Sequence, residues 1–353
     1  MDRIISIIAS RSGLGHVSRQ LALAESILNL DPTLSINFIC DERQYKTFEP
    51  SFMMFPRISF FQIPESPVMM FKWNEIDVEA TKFSFQRCME FETQIRDDTY
   101  WGRILHESSL IISDLESFQN PIIKKLDIPL INVSNFTWSD ILKYLNLDDL
   151  SDYYKNLELL ADFNIQLPFT TSCIGFNAQI KPMGLLSRKI NEYNVEMIKE
   201  KHGDNLVYIA YSGDDLFNLS SYISGLNSKG FTPIIFSRFT HELQGLEFVE
   251  LTDKITNTQD YLAASSVVLG KTGYSTVSEI YQSGVPFLYF YRTNNIEDIT
   301  IKKQLSLDNR GELINSIQAE EMVEQTIQLS SKLNKPMAVC NDEIAKIILS
   351  FIN

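Results

Sequence analysis

The 353-residue chain is poor in cysteine and histidine, with four of each, and no apolar run approaches the ~18 residues of a membrane span. The cysteines (Cys40, Cys88, Cys173, Cys340) are far apart and form no CxxC pair. That excludes a disulfide scaffold or a thiolate zinc site of ordinary spacing and predicts free thiols in a reducing compartment. The histidines (His16, His106, His202, His241) are scattered and suggest no metal site. Positive charge is also short, with 31 Lys and Arg against 45 Asp and Glu and a net charge of −14. Nucleic acid and anionic membrane surfaces attract the opposite sign, so neither is expected as the main partner. Low-complexity segments are absent. The opening apolar run spans about six residues, too short for a signal-peptide core, and reads as a strand. A soluble, cytoplasmic protein is expected.

What is present is ordinary globular composition, 44% hydrophobic and 22% charged, in a length that favours two domains. "RIISIIAS" is apolar throughout, as a parallel strand covered on both faces should be. A helical period follows at Leu21, Leu23, Ala24, Ile27 and Leu28. "SINFICD", "ISFFQIP", "LIISDLE" and "LINVSNFTW" read as further strands, with a long, mostly helical polar stretch from about Asn74 to Ser109. Near "IKPMGLLSRK" the alternation restarts with "NLVYIAYSGDD", and strands and helices continue to a helical end. The pattern predicts an α/β fold with two doubly wound parallel sheets. The expected domains are 1–184, 185–335, and a terminal helix over 336–353 packing back on the first domain.

Each half opens on a strand followed by small residues. In "SGLGHVSRQ", Gly13 and Gly15 let the backbone approach a ligand, and Ser18 is a candidate helix cap. Ligands of open α/β sheets bind beyond the carboxyl ends of strands, where a helix N-terminus favours an anion. The loop nearly matches the dinucleotide fingerprint, with Ser18 in the third glycine position and Asp41 where a ribose-binding acid would sit. Turn geometry alone is the plainer alternative. Arg19 at the helix start opposes the helix dipole unless an acid partners it. His16, on a glycine loop at a strand end, is a candidate general base.

The second loop, "GKTGYSTVSE", fails as a P-loop because position 265 is Ser265 instead of glycine. It remains a glycine-flanked turn into a helix. Gly270 and Gly273 open backbone N–H groups, Ser275 and Thr276 offer hydroxyls, and Thr276 with Glu279 has capping-box spacing. Glu279 is then a capping acid, or it accepts sugar hydroxyls beside a diphosphate held at the helix N-terminus. One loop with a base and one with an anion-and-ribose constellation suit group transfer from a nucleotide-activated donor.

These residues resemble a known family. "TVSEIYQSGVPFLYFY" is similar to the donor segment of the two-Rossmann-domain (GT-B) glycosyltransferases, including the peptidoglycan N-acetylglucosaminyltransferase, and "GLGHVSRQLALAESI" fits their first loop. "SDLESFQNPIIKKLDIPLINVSNFTWSDIL", "IQLPF" and "LAASSVVLGKTGYSTVSEIYQSGVPFLYFYR" are similar to the glycosyltransferase-like amino-terminal half of plant L-arabinokinase. The resemblance implies two Rossmann-like domains facing across a cleft and transfer of a sugar from a nucleotide diphosphate sugar, UDP-linked by preference, to an acceptor hydroxyl. It implies that Gly13, Gly15, Ser18 and Arg19 form the cleft loop, with His16 as base or acceptor-site residue and Asp114 where some relatives pair an acid with the histidine. Gly270, Lys271, Thr272, Gly273, Ser275 and Thr276 would cradle the diphosphate, Ser212 and Gly213 would complete that site, and Glu279 would hold the ribose. Glu297 and Asp298 fall where relatives bind the donor sugar, although "RTNNIEDI" departs from their pattern. No metal or other cofactor is implied, because helix N-termini and backbone amides stabilise the leaving diphosphate. The sugar-kinase half of arabinokinase has no counterpart here, so its activity does not carry over. A nucleotide-sugar hydrolase on the same scaffold, a non-catalytic sugar-nucleotide sensor and an NAD enzyme are the alternatives.

Four methionines and several aromatics crowd Phe52 to Trp73. They read as core, or as a surface for a lipid-linked acceptor or membrane. Trp138 in "NFTW" reads equally as a sugar platform or as packing behind its strand.

Overall fold

The computed structural model describes residues 3–72, 75–92, 100–210, 217–240 and 243–352. The chain divides into two compact units: Met1–Ser187 with Arg292–Thr300 and Val339–Asn353 (unit 1), and Arg188–Tyr291 with Ile301–Ala338 (unit 2).

In unit 1 the apolar runs become a parallel sheet. Its seven strands lie in the order Ile58–Gln62, Ser35–Cys40, Ile4–Ala9, Leu110–Asp114, Leu130–Ser134, Phe163–Gln166 and Ile180–Pro182. Ile4–Ala9 is central, with Ile5 opposite Ile36 on one side and Ala9 opposite Asp114 on the other. Ile5, Ile7, Ile8, Ile111 and Ile112 are all fully buried, so both sheet faces are covered and no alternation is visible in their sequence. One core cluster joins Ile8, Ile39, Leu105, Ile111 and Leu130. Another joins Phe85, Phe136, Trp138 and Tyr154. Trp138 is wholly buried there, so it packs behind its strand. The helix Asn341–Leu349 packs against Gly15–Leu30, and the Asn341 side chain exchanges two hydrogen bonds with the Ser187 backbone, at 2.7 and 3.2 Å.

The polar stretch before the fourth strand holds helices Val78–Glu92 and Tyr100–His106, preceded by a short antiparallel hairpin, Phe71–Lys72 with Glu75–Ile76. The short strands Phe163–Gln166 and Ile180–Pro182 escaped the sequence pattern. The methionine-rich stretch is split: Phe52 and Met69 are buried, while Met53 is 77% and Met54 64% exposed, so the core reading holds only for part of it. Trp73, at its end, lies outside the described residues.

Unit 2 repeats the plan with six parallel strands in the order Val249–Leu251, Thr232–Phe236, Leu206–Ala210, Val267–Lys271, Phe287–Phe290 and Gly311–Leu313. Its core includes Val207, Tyr222, Leu226, Ile235, Leu269 and Leu288. In each sheet the first strand is central. The second and third strands lie to one side and later strands to the other, so the order reverses beside the first strand. Ligands of open α/β sheets bind at that reversal. It falls at Ala9 and Asp114 in unit 1 and at Ala210 and Gly270 in unit 2.

Chain order alone places residues 292–300 in the second half, yet they cluster with unit 1. Asn294 exchanges two hydrogen bonds with the Ile76 backbone, at 2.8 and 3.0 Å, and the Arg292 guanidinium lies 4.5 Å from the Phe71 ring centroid. Among the described residues no helix is long and apolar enough to cross a membrane.

Candidate active site

The first loop leaves its strand at Ala9 and turns at Gly13, whose φ of 93° lies in the left-handed region where glycine is needed. Gly15 opens the helix Gly15–Leu30, and Leu14 is its N-cap with no side-chain cap bond. Ser18 therefore lies inside the first turn, where its N–H donates to the Leu14 carbonyl at 3.1 Å, and is not the cap its position suggested. Gln44 pins the loop: its Nε2 donates to the carbonyls of Ser10 (2.7 Å) and Gly13 (2.6 Å). Gln44 also completes a capping box with Asp41, accepting from the Asp41 N–H at 3.0 Å while Asp41 Oδ1 accepts from the Gln44 N–H at 2.7 Å. Asp41 is thus a helix cap, with Arg11 3.5 Å away, instead of a carboxylate presented to a ribose.

One residue into the helix, His16 reaches the carboxyl end of the neighbouring strand. Its Nδ1 lies 3.0 Å from Asp114 Oδ1. Asp114 is wholly buried and accepts from Arg19 Nε (2.7 Å), Arg19 Nη2 (2.5 Å) and Gln20 Nε2 (3.0 Å). Burial alone would raise the Asp114 pKa, but Arg19 and then His16 hold the carboxyl well below its ordinary range. Arg19 thereby finds the acid that its place at a helix N-terminus requires. Its Nη1 also donates to Asn135 Oδ1 at 2.8 Å, and Asn135 Nδ2 donates to Glu297 Oε1 at 3.2 Å. His16 Nδ1 also lies 3.0 Å from Arg19 Nη2, so it sits between a donor and the Asp114 acceptor; the proton on Nδ1, facing Asp114, is the arrangement that leaves Nε2 an acceptor. Leu115, next after Asp114, has a φ of 69°, a strained conformation held where strand meets site.

Glu297 is buried, and burial followed by the neighbouring Asp298 pushes its carboxyl upward. Asp298 is fully buried and clamped by Arg292 through Nη2 (2.6 Å), Nε (2.8 Å) and the backbone N–H (2.9 Å). Both were expected beside a donor sugar in the second domain; both lie in unit 1, tied to Asn135 and Arg292.

In unit 2 the strand Val267–Lys271 ends beside the helix Tyr274–Ser283, whose N-cap is Gly273. Thr276 is accordingly inside the helix, and the Thr276–Glu279 capping box suggested by spacing does not form. Gly270 packs so tightly that a Cβ would lie 3.0 Å from Ala210 Cβ, whereas a Cβ on Gly273 would meet nothing within 4 Å. Ser275 accepts, through its carbonyl, from Ser278 Oγ at 2.9 Å. Thr272 is fully buried, and its hydroxyl has no hydrogen-bond partner among the described residues. Ser212 and Gly213 lie outside the described residues.

Glu279 is buried one turn and a half into the helix. Its Oε1 accepts from Arg188 Nε (2.9 Å) and Nη2 (2.7 Å). Burial pushes its carboxyl upward against the pull of Arg188. Arg188 had no signal in the sequence, since its partner lies 91 residues away. Gln44 had one: Asp41 and Gln44 carry the capping-box spacing.

No protein-family model matches the chain, and no curated protein matches it. Its structure is similar to that of Phytolacca americana UGT2 complexed with UDP-2fluoro-glucose and pterostilbene, with TM-score 0.61, 11% identity, and coverage of 99% of this chain and 94% of that one. It is similar to glycosyltransferase VinC in complex with dTDP, with TM-score 0.61, 10% identity and 99% of each chain covered. It is similar also to the spinosyn rhamnosyltransferase SpnG, with TM-score 0.62, 11% identity, and 99% and 95% covered. The chain has the GT-B fold, built from two Rossmann-like doubly wound units.

Proposed function

We propose that the protein is a glycosyltransferase that moves a sugar from a nucleotide diphosphate sugar, UDP-linked by preference, to an acceptor hydroxyl. The observation that carries this reading is the buried His16–Asp114 pair at the sheet reversal of a GT-B fold, 3.0 Å apart. The solved structures similar to it include proteins in complex with UDP-2fluoro-glucose and with dTDP. The finer kinship, with the amino-terminal half of plant L-arabinokinase and with the peptidoglycan transferase, rests on the sequence segments alone.

In this proposal the donor belongs to unit 2. Backbone N–H groups at Gly273 and the first turn of Tyr274–Ser283, with Lys271, Thr272, Ser275 and Thr276, stabilise the diphosphate, and Glu279 accepts from the ribose. Ser212 and Gly213 remain assigned to the phosphate by sequence, and Glu297 to the donor sugar. The clamp on Asp298 gives that residue the task of holding the Glu297 segment. His16, oriented by Asp114, takes the acceptor proton on Nε2 as the hydroxyl oxygen bonds to the anomeric carbon. The bond from that carbon to the diphosphate oxygen breaks, and the nucleoside diphosphate leaves with the electron pair. The charge on that leaving group is met by fixed dipoles, so the proposal uses no metal or other cofactor. A cytoplasmic location is part of the same proposal.

The test is a calorimetric and thermal-shift screen of UDP, GDP, dTDP, CMP, their common sugar conjugates and NAD. A selective UDP or UDP-sugar response that disappears in Glu279→Ala is expected. Silence towards every nucleotide would move the protein to a scaffold class, and consumption of nucleotide sugar without an acceptor would make it a hydrolase. Loss of His16 should leave nucleotide binding intact and slow transfer by ~10²–10⁴-fold.

A further inference from the structure

The two oxygens of Glu279 are used unequally. Oε1 takes both Arg188 hydrogen bonds, at 2.9 and 2.7 Å, while Oε2 accepts none among the described residues. We propose that Arg188 is a positioning residue of the nucleotide site, holding Oε1 so that Oε2 stays an acceptor for a ribose hydroxyl. The inference rests on the donor-site reading given above.

Arg188 is itself held from several directions. Its Nη2 donates to Thr258 Oγ1 at 2.9 Å, and its Nη1 donates to the Thr256 carbonyl at 3.4 Å. The Gln282 amide, on the same helix as Glu279, has one end 2.8 Å from the Arg188 carbonyl and the other 2.9 Å from the Ile190 N, and satisfies both when its nitrogen is turned to the carbonyl. Asn191 and Asn194 fasten the next residues to Asp260, at 2.9 and 2.8 Å. The guanidinium therefore reaches Glu279 from a fixed base, and its planar fork fixes which carboxylate oxygen it occupies.

The chemistry follows from burial. A carboxyl in this environment tends to keep its proton, because burial disfavours the charged form and Asp260 adds to that, while Arg188 opposes both. A protonated carboxyl would donate from one oxygen and be a weaker acceptor for a diol. Both Arg188 N–H groups on Oε1 favour the carboxylate form with that oxygen committed, and a ribose hydroxyl would supply the partner that Oε2 does not find among the described residues. A ligand without ribose hydroxyls leaves that oxygen unpaired, which is the costly case.

The experiment titrates UDP and dideoxy-UDP, which lacks both ribose hydroxyls, into the full-length wild type, Arg188→Met and Arg188→Lys, with unfolding curves to show that each variant is folded. Wild type is expected to prefer UDP by about 10–100-fold, the range for hydrogen bonds to a charged group. Arg188→Met should lose most of that preference through weaker UDP binding, with dideoxy-UDP affinity unchanged. Should Arg188→Met fail to fold, Arg188→Lys decides. It keeps a cation beside Glu279 but not the two-point hold, so its preference should also fall. An undiminished preference in a folded variant overturns the proposal and makes Arg188 only a staple of the fold. Equal wild-type binding of the two ligands overturns it as well, while leaving the donor site standing. No wild-type binding of either nucleotide fails the donor-site reading itself, and the proposal falls with it.

Discussion

At the scale of single residues, two glycines with the same sequence appearance do different work. Gly13 sits at a φ of 93° and a side chain there strains the turn, whereas Gly273 has a φ of −124° and open space where a Cβ would go. Gly273→Ala should change stability by no more than ~0.5 kcal/mol. If the diphosphate approaches this backbone, the same change weakens UDP binding. Denaturant unfolding and calorimetry on one preparation separate the effects, and unaltered UDP affinity would remove Gly273 from the site. Arg19 is the opposite kind of residue, buried and indispensable to its partner. Arg19→Met leaves Asp114 charged and buried without a cation, which costs ~3–5 kcal/mol. Adding Asp114→Asn should restore much of that in urea unfolding at neutral pH; no recovery would mean that Arg19 matters through packing alone.

At the scale of elements, the first loop is shaped less by its own residues than by a helix 30 positions on. Gln44 caps that helix with Asp41 and spends its Nε2 on two loop carbonyls, so a single side chain couples the two. Gln44→Ala strands those carbonyls and should cost ~1–3 kcal/mol. Amide exchange should accelerate in residues 10–15 more than in the sheet. Uniform acceleration throughout unit 1 would instead report general loss of stability. In the second loop the close contact is backbone packing: a Cβ on Gly270 would lie 3.0 Å from Ala210 Cβ.

At the scale of the whole molecule, buried carboxyls make stability depend on pH. Glu116, beyond the Asp114 strand end, is fully buried, and Oε1 accepts from Ser66 Oγ at 2.5 Å while Oε2 has no hydrogen bond among the described residues. Burial first, with Asp114 adding a smaller push, raises its carboxyl from 4.5 to about 8, against hydrogen bonds from Ser66, Ser10 and Arg11. Glu158 is raised to about 8 in the same way. The folded state therefore binds protons that the unfolded state has released. These groups contribute most below pH 4.5, and the contribution is lost as pH rises through about 8. Each such proton gives a slope of at most ~1.4 kcal/mol per pH unit. Glu116→Gln keeps an oxygen for Ser66 and should flatten the decline between pH 5 and 8 (~one proton's worth). An unchanged slope would show that Glu116 is ionised in the fold.

Residue order was enough to place the long central strands, the helices that follow the two glycine loops and the loops themselves, because burial on two faces demands apolar runs and a left-handed turn demands glycine. It also brought His16, Asp114, Gly273 and Glu279 to notice, since each sits at a strand end or in the helix that follows one. Short edge strands such as Ile180–Pro182 escaped, because a few residues carry too little period to register. The folded chain was needed to show that Arg19 meets Asp114 across 95 residues, that Arg188 meets Glu279 across 91, and that Arg292–Thr300 joins unit 1. Those pairings are set by which side chains must neutralise a buried charge at close range, and no local spacing along the chain encodes that distance.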